Sequence, residues 1–217
     1  ILQGYGGILQ VDGYAGYNRL IAPDRTGPSI QLAHCWAHAR RKLIEITRNG
    51  SAPIAEEGVT FIRDLYAIEA EVHGNDPVTR LAAQQERSAP ILARIDAWLS
   101  QNRARASAKS PLGEALAYIT KFRDGLGRFL TDGRVDLDSN AVERTIRPIA
   151  LNRKNALFAG HDAGAKNWAV IASLVETCKM NGVDPQAWLA TTLTAIIKGH
   201  KQSQIQDLLP WNCAATV

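Results

Sequence analysis

The chain has 217 residues, of which 46% are hydrophobic and 21% charged, a balance typical of folded domains and unlike that of disordered chains. No apolar run is long enough to span a bilayer, which excludes a membrane-spanning class, and the net charge of +4 permits nucleic-acid binding without requiring it. The three cysteines, Cys35, Cys178 and Cys213, are far apart and odd in number, which favours a reducing cytoplasm over a disulfide framework.

The first segment, residues 1–48, carries the strand signals. The short apolar run Ile8–Val11 lies between glycines and predicts a buried strand that ends at Asp12. A short helix over Tyr14–Ile21, a second strand over Ser29–His34 and a helix over Trp36–Thr47 are predicted to follow.

The middle segment, residues 49–132, has no strand signal and predicts an all-helical insertion. A helix is expected over Val59–Glu71. A capping residue followed by proline occurs at Asp76-Pro77 and at Ser110-Pro111, and each pair predicts a helix start. These two helices are expected to reach about Ser100, with a bend near Pro90, and about Arg123.

The last segment, residues 133–217, predicts further helices. One is capped by Asp138, Ser139 or Asn140 and reaches about Ile149, and others cover Lys166–Met180 and the residues from Asp184 to about Gly199, before a last turn over Ser203–Leu209. Two or three strands cannot form a stable sheet by themselves. Either further strands lie upstream or the fold is mainly helical, and the start at Ile1, without an initiator Met, favours the first alternative.

Asp12 is the first candidate for chemistry. It follows a predicted buried strand, and ligands of open α/β sheets gather at the carboxyl ends of the strands. The alternative is a turn residue whose carboxylate bonds its own backbone before Gly13.

Glu143 is the second candidate. Asn140, Glu143 and Arg147 share one face of a predicted helix, where a carboxylate beside an amide and arginines suits a divalent cation near a phosphate. The alternative is a first-turn glutamate that is favoured by the helix dipole and paired with Arg147.

Cys35 and His38 have the spacing of half a structural zinc site, but no second pair of suitable spacing occurs in the sequence. A buried cysteine and a hydrogen-bonded histidine at a strand-to-helix junction are the alternative.

Two basic clusters are candidate DNA contacts, because arginine and lysine supply most of the non-specific affinity for DNA. Solvated helix faces are the alternative for both. The clusters comprise Arg40, Arg41 and Lys42, and Arg144, Arg147, Arg153 and Lys154.

Several short strings, in their order along the chain, resemble the insertion-sequence 66 family of transposases. Ser139 departs from the asparagine that the family usually has before Asn140. The strings that carry the resemblance are Leu9–Tyr17, Cys35–Lys42, Asp138–Ile149, Arg153–Asn155, Phe158–Gly160, Asn181–Pro185 and Leu208–Asn212.

The resemblance implies an α/β fold: part of a ribonuclease H-like core, interrupted by the helical insertion and mostly helical. It implies a DDE transposase, in which Asp12 matches the second aspartate and Glu143 the glutamate of a triad that holds Mg²⁺ or Mn²⁺. Cys35, His38 and Asn140 are then expected to support that site. The implied activity is metal-dependent DNA strand cleavage and strand transfer.

The partners implied are double-stranded DNA of transposon ends and targets, together with a homo-oligomer or accessory transposition proteins in the bacterial cytoplasm and nucleoid, and no membrane. The first aspartate of the triad is absent from these residues, so the chain is expected to be truncated and inactive alone. A non-catalytic DNA-binding or interaction remnant is the alternative, and a helical module that touches no nucleic acid is a third.

Overall fold

The computed structural model of the chain describes residues 2, 4–155 and 160–212. The chain is mostly helical and contains one two-stranded parallel sheet, which confirms the mostly helical part of the expected fold class. It divides into two compact units, Ile1–Ala141 and Val142–Val217. The division of the sequence at residues 48 and 132 stays a prediction.

The sheet pairs strands β1 (Gly7–Val11) and β2 (Ile30–His34) in parallel, with Val11 opposite His34. Parallel neighbours require a crossover of about a dozen residues or more. Here the crossover contains a 3₁₀ helix over Ala15–Ile21, where the sequence predicted a short helix. Val11, Ile30 and Leu32 form the small apolar cluster between the sheet and this crossover.

Helices complete the first unit, and prolines open three of them. The second begins at Pro53 rather than at the predicted Val59, because proline suits the first helical position and Glu56 accepts a hydrogen bond from the Ala52 amide (3.2 Å). The helices are α1 (Trp36–Thr47), α2 (Pro53–Val72), α3 (Pro77–Ala83), α4 (Ala89–Arg103), α5 (Pro111–Lys121) and α6 (Arg123–Leu126), followed by a 3₁₀ turn over Arg128–Leu130.

A π-helical turn over Gln84–Ser88 joins α3 to α4. Pro90 follows directly, and proline in a helix lacks a donor and crowds the carbonyl four residues earlier. A π turn widens the backbone locally and accommodates this crowding. The predicted irregularity near Pro90 therefore takes the form of a π turn.

The main core lies between α1 and the helices of the middle segment. Trp36, Leu43, Leu65 and Leu116 are completely buried in it. The Trp36 ring also donates from Nε1 to the carbonyl of Leu126 (2.8 Å), so its polar atom is satisfied. Burying each such large side chain contributes about 1.5–3 kcal/mol, and the sheet-bearing segment and the helical segment therefore stabilise each other.

The second unit packs around a smaller cluster of Cys178, Val183 and Trp188. Trp188 donates from Nε1 to the carbonyl of Leu208 (2.8 Å). Its elements are α7 (Asn140–Asn155), which starts in the first unit, α8 (Asp162–Met180), α9 (Pro185–Ile197) and 3₁₀ turns over Gln202–Leu208 and Pro210–Asn212.

Helix α7 extends beyond the predicted end at about Ile149 and includes Pro148. An internal proline removes one backbone hydrogen bond but does not always end a helix. Across the described part of the chain, no helix is long and apolar enough to cross a membrane.

Candidate metal and DNA site

The carboxyl ends of both strands lie at one edge of the sheet. Val11 and His34 are paired in the parallel register, so Asp12 and Cys35 each follow directly after a paired strand end. This arrangement places the Asp12 carboxylate and the start of α1 side by side. Ligand sites of parallel sheets form at such edges, where strand ends and helix starts meet.

Asp12 is exposed and held by its neighbours. Its Oδ1 accepts a hydrogen bond from the Tyr14 amide (2.9 Å), and its carbonyl accepts one from the Tyr118 hydroxyl (3.0 Å). Burial raises the pKa of Tyr118 to about 12, so this hydroxyl keeps its proton at neutral pH. The turn that was the alternative interpretation of Asp12 is thus present. It uses one carboxylate oxygen, and a turn and a metal ligand are compatible.

Gly13 fixes the direction of the chain after Asp12. Its φ of +88° lies in the left-handed region, and an added Cβ would lie 3.1 Å from both the Tyr118 hydroxyl and the Phe122 ring. Only glycine meets both conditions without strain. The backbone of Asp12 is therefore packed against the aromatic side of the helical segment.

His34 is a neighbour of Asp12 that the sequence analysis did not single out. Its ring stacks on Phe122, with centroids 4.2 Å apart and planes inclined by 27°. Burial lowers the pKa of His34, and the charge of Asp12 opposes this shift only in part. The imidazole is therefore largely neutral at physiological pH. Its position at the end of the predicted second strand is the sequence signal that could have indicated it.

Cys35 anchors the segment that leads into α7. The thiol is fully buried and accepts a hydrogen bond from the Ser139 amide (3.4 Å). One residue on, the Trp36 amide donates to the carbonyl of Leu137 (2.9 Å). His38 lies in the first turn of α1, which starts at this junction. These contacts fix the chain just before α7 at the sheet edge.

Asp138 organises the start of α7. Its Oδ1 accepts from the Asn140 amide (2.9 Å), and its Oδ2 accepts from the Asn140 side chain (2.7 Å) and from the Tyr66 hydroxyl (2.7 Å). Asp138 is one of the three residues proposed as the cap, and it provides these hydrogen bonds. Burial and the bond to Asp138 raise the pKa of Tyr66, which keeps its hydroxyl a donor.

Glu143 lies in the first turn of α7 and is half-buried, while Arg144 and Arg147 on the same helix are exposed. A carboxylate in the first turn is favoured by the helix dipole. The pairing of Glu143 with Asp12 around a cation stays a prediction. Arg153 and Lys154 belong to α7 by their backbone, but their side chains lie outside the described residues, as do Phe158 and Ala159 of the Phe158–Gly160 string.

The first basic cluster divides between two environments. Arg40 and Arg41 are exposed on α1 and face a cavity beside α2. Lys42 lies over the Tyr118 ring, with Nζ 5.1 Å from its centroid, on the side of the molecule where Tyr118 contacts Asp12. Lys42 therefore has a different neighbour from the two arginines.

Comparison with known proteins agrees with the family that the motifs indicated. The family described as Transposase IS66 family matches residues 1–167, and the IS66 C-terminal element matches residues 173–211. The chain belongs to the IS66 transposase family, which confirms the resemblance.

Relatives in Sinorhizobium fredii (strain NBRC 101917 / NGR234) include the uncharacterized proteins y4qI, y4jD and y4hP. They are 46%, 39% and 40% identical to the chain over 97%, 99% and 100% of its length. The chain spans 40–42% of the length of these relatives. No solved structure matches the chain.

Proposed function

We propose that the chain supplies part of the catalytic core of a DDE-type transposase with a ribonuclease H-like sheet. The whole protein would cleave DNA strands and transfer them, with Asp12 and Glu143 as two of its metal-binding carboxylates. The observation that carries the proposal is the position of Asp12, at a parallel sheet edge where the chain leading into the Glu143 helix is also anchored.

The donor atoms suit Mg²⁺ or Mn²⁺, which prefer carboxylate oxygens. Asp12 is exposed, and of its two carboxylate oxygens only Oδ1 accepts a hydrogen bond from the described residues. Its Oδ2 is therefore available to a cation. A neutral His34 beside it adds no positive charge that would compete with one.

A pair of divalent cations at such a site activates the attacking hydroxyl and stabilises the leaving oxygen in displacement at phosphorus. The residues of this chain would bind these cations and hold the cation ligands in position. Asp12 is held by Tyr14 and Tyr118, and Asp138 fixes the helix start one turn before Glu143. Cys35 supports the site by anchoring this junction, and His38 would support it from the first turn of α1, rather than the two acting as a zinc set.

The DNA partner follows from the same proposal. Arg144 and Arg147 are exposed on the Glu143 helix, and with Arg153 and Lys154 they would contact backbone phosphates, which position DNA without reading its sequence. Transposon ends and target DNA would be the substrates, and the bacterial cytoplasm the place of action. A homo-oligomer or accessory transposition proteins would complete the assembly.

Iron-directed cleavage tests whether Asp12 and Glu143 share a cation. Fe²⁺ replaces Mg²⁺ at oxygen sites and, with hydrogen peroxide as the oxidant and ascorbate to regenerate Fe²⁺, cuts the nearby backbone. Mass spectrometry maps the cuts. We expect cuts near both Asp12 and Glu143 in the 217-residue chain, suppressed by excess Mg²⁺. Asp12→Asn should remove both sets of cuts.

Glu57→Gln is the matched control, because Glu57 is an exposed carboxylate on α2 outside the proposed site. This variant should leave the cuts unchanged. If Asp12→Asn leaves the cut near Glu143 intact, the two carboxylates do not share a cation. The alternative of a non-catalytic DNA-binding remnant then stands, and DNA binding without metal dependence would support it.

A further inference from the structure

A cavity of about 400 Å³ lies between α1 and α2. Arginines from both helices surround it, together with the Tyr66 ring and the side chain of Asn140. The lining residues are Ala37, Arg40, Arg41, Ile44, Arg48, Arg63, Tyr66 and Asn140.

The charged side chains that line the cavity are all positive. The cavity is lined by four guanidinium groups, and no carboxylate belongs to its described lining. Asp64 lies 3.4 Å from the Arg63 guanidinium, but both side chains are largely exposed, at 38% and 68%. Exposed pairs of this kind contribute little, so Asp64 leaves most of the positive potential in place.

The helical spacing explains why these arginines converge. Arg40, Ile44 and Arg48 are four residues apart along α1 and therefore share one face. Arg63 and Tyr66 are three residues apart on α2 and share the face opposite. Tyr66 is held in place by its hydrogen bond to Asp138, which gives the cavity a fixed wall. Like charges gathered in one concave site favour an anion.

We propose that this cavity binds backbone phosphates of DNA, with Arg48 as a contact that belongs to the basic stretch of α1 and Arg63 as a contact that the sequence did not indicate. The identity of the occupant rests on the proposed function. Guanidinium forks match phosphate oxygens in bidentate geometry. Asn140, the first residue of α7, also lines the cavity, so a strand bound here passes the start of the helix that carries Glu143.

The helical insertion thereby acquires a role in binding. Arg63 belongs to α2, within the segment that the sequence described only as an all-helical insertion. Arg40 and Arg41 reach the same cavity from α1, next to the sheet edge. The phosphate track therefore runs from the sheet-bearing segment onto the insertion instead of along α1 alone.

The test measures the salt dependence of binding of the 217-residue chain to a labelled random-sequence duplex by fluorescence anisotropy. Each lost phosphate contact should make the slope of log K against log salt less negative by about 0.9. Between 50 and 200 mM salt, the loss of affinity should then be about 3.5-fold smaller for Arg48→Ala or Arg63→Ala than for the parent chain. Arg63→Lys should restore most of the slope.

Arg105→Ala is the matched control, because Arg105 is an exposed arginine of the insertion that does not line the cavity. An unchanged slope in both cavity variants, or an equal change in Arg105→Ala, would overturn the proposal. So would a chain that shows no duplex binding even at 50 mM salt. Asp12→Asn should not change the slope, which separates this outcome from failure of the proposed metal site.

A second experiment measures the melting temperature of the chain with inorganic phosphate or a free nucleotide. If either raises the melting temperature of the parent chain but not of the Arg48→Ala/Arg63→Ala chain, while duplex binding is the same in both, the cavity binds free phosphate groups. That result would contradict a DNA-backbone occupant. If phosphate inhibits duplex binding by the parent chain but not by the Arg48→Ala/Arg63→Ala chain, that result would support a DNA-backbone occupant.

Discussion

Replacing Tyr66 by phenylalanine isolates the contact that ties the helical segment to the start of α7. The change removes only the hydroxyl, which donates to Asp138 Oδ2 over 2.7 Å. The ring and its packing beside α1 are retained. Stability should fall because a half-buried carboxylate loses one of its hydrogen-bond donors.

The size of the expected stability loss depends on the hydrogen-bond donors that Asp138 keeps in the variant. Hydrogen bonds to charged groups contribute about 1.5–3 kcal/mol. Asn140 still donates to the same oxygen over 2.7 Å, so Asp138 does not become unsatisfied. We therefore expect the lower end of that range, a loss of about 1.5 kcal/mol, or roughly tenfold in the unfolding equilibrium.

Urea unfolding followed by circular dichroism measures this loss. Tyr118→Phe is the matched control, because its hydroxyl donates over 3.0 Å to the neutral carbonyl of Asp12. A bond to a neutral acceptor contributes about 0.5–1.5 kcal/mol, so the control should lose less. Equal losses would mean that the charge of Asp138 does not matter.

A double-mutant cycle with Asp138→Asn gives the coupling directly. The two changes should together cost about 1 kcal/mol less than the sum of the single changes, because each removes the same contact. A coupling energy indistinguishable from zero refutes the inference that Tyr66 and Asp138 stabilise each other.

The remaining predictions concern the sheet edge. Gly13→Ala should lower stability by about 1–2 kcal/mol from its positive φ alone, and more from crowding by Tyr118 and Phe122. Gly74→Ala is the matched control, because Gly74 has a similar φ of +85° but nothing within 4 Å of the added Cβ. It should lose only the stability that the positive φ costs, and equal losses for both variants in urea unfolding would show that crowding at Gly13 does not contribute. Burial lowers the pKa of His34, so the unfolded chain binds that proton more readily and stability falls as the pH drops below about 6.5. His34→Asn should therefore lose less stability than the parent chain between about pH 7.5 and pH 5, and parallel losses would show that His34 does not contribute.

Local sequence signals predicted most helices because their causes are local. Asp76, Ser110 and Asp184 each accept hydrogen bonds from the first-turn amides of the helix that follows, as their position before proline indicated. The apolar run after Gly7 predicted β1, and its parallel partner is the second predicted strand. Boundaries were less reliable. Helix α7 continues through Pro148, since the loss of one backbone bond does not end a helix that is otherwise favourable.

Contacts between segments that are distant in the sequence could not be predicted from it. The spacing placed Asp12 at a strand end, but it gave no reason to expect Tyr118, 106 residues away, to hold its carbonyl. The stacking of His34 on Phe122 and the bond from Tyr66 to Asp138 are equally non-local. The run of basic residues at Arg40 suggested one surface, whereas helical geometry directs Lys42 to Tyr118 and the two arginines to the α2 cavity.

These non-local contacts give the helical segment, residues 49–132, a structural role at the candidate site. Asp12 and Glu143 are separated by 143 − 12 = 131 residues, most of which form helices. The chain returns to the sheet edge because Trp36 and Cys35 bind the backbone of Leu137 and Ser139. Tyr66 of the insertion holds Asp138 between them. A helical segment that only bridged two parts of the core would need no such contact.

The positions of Asp138 and Ser139 therefore depend on α2 as well as on the sheet edge. A substitution that loosens α2 against α1 should displace Asp138 and Asn140 even when Asp12 and its neighbours are unchanged. The arginine cavity lies between the same two helices, with Asn140 in its wall. Occupation of that cavity by an anion would relieve repulsion between the arginines and stabilise the same helix pair. An anion in the cavity would in this way also hold Asn140, the first residue of α7.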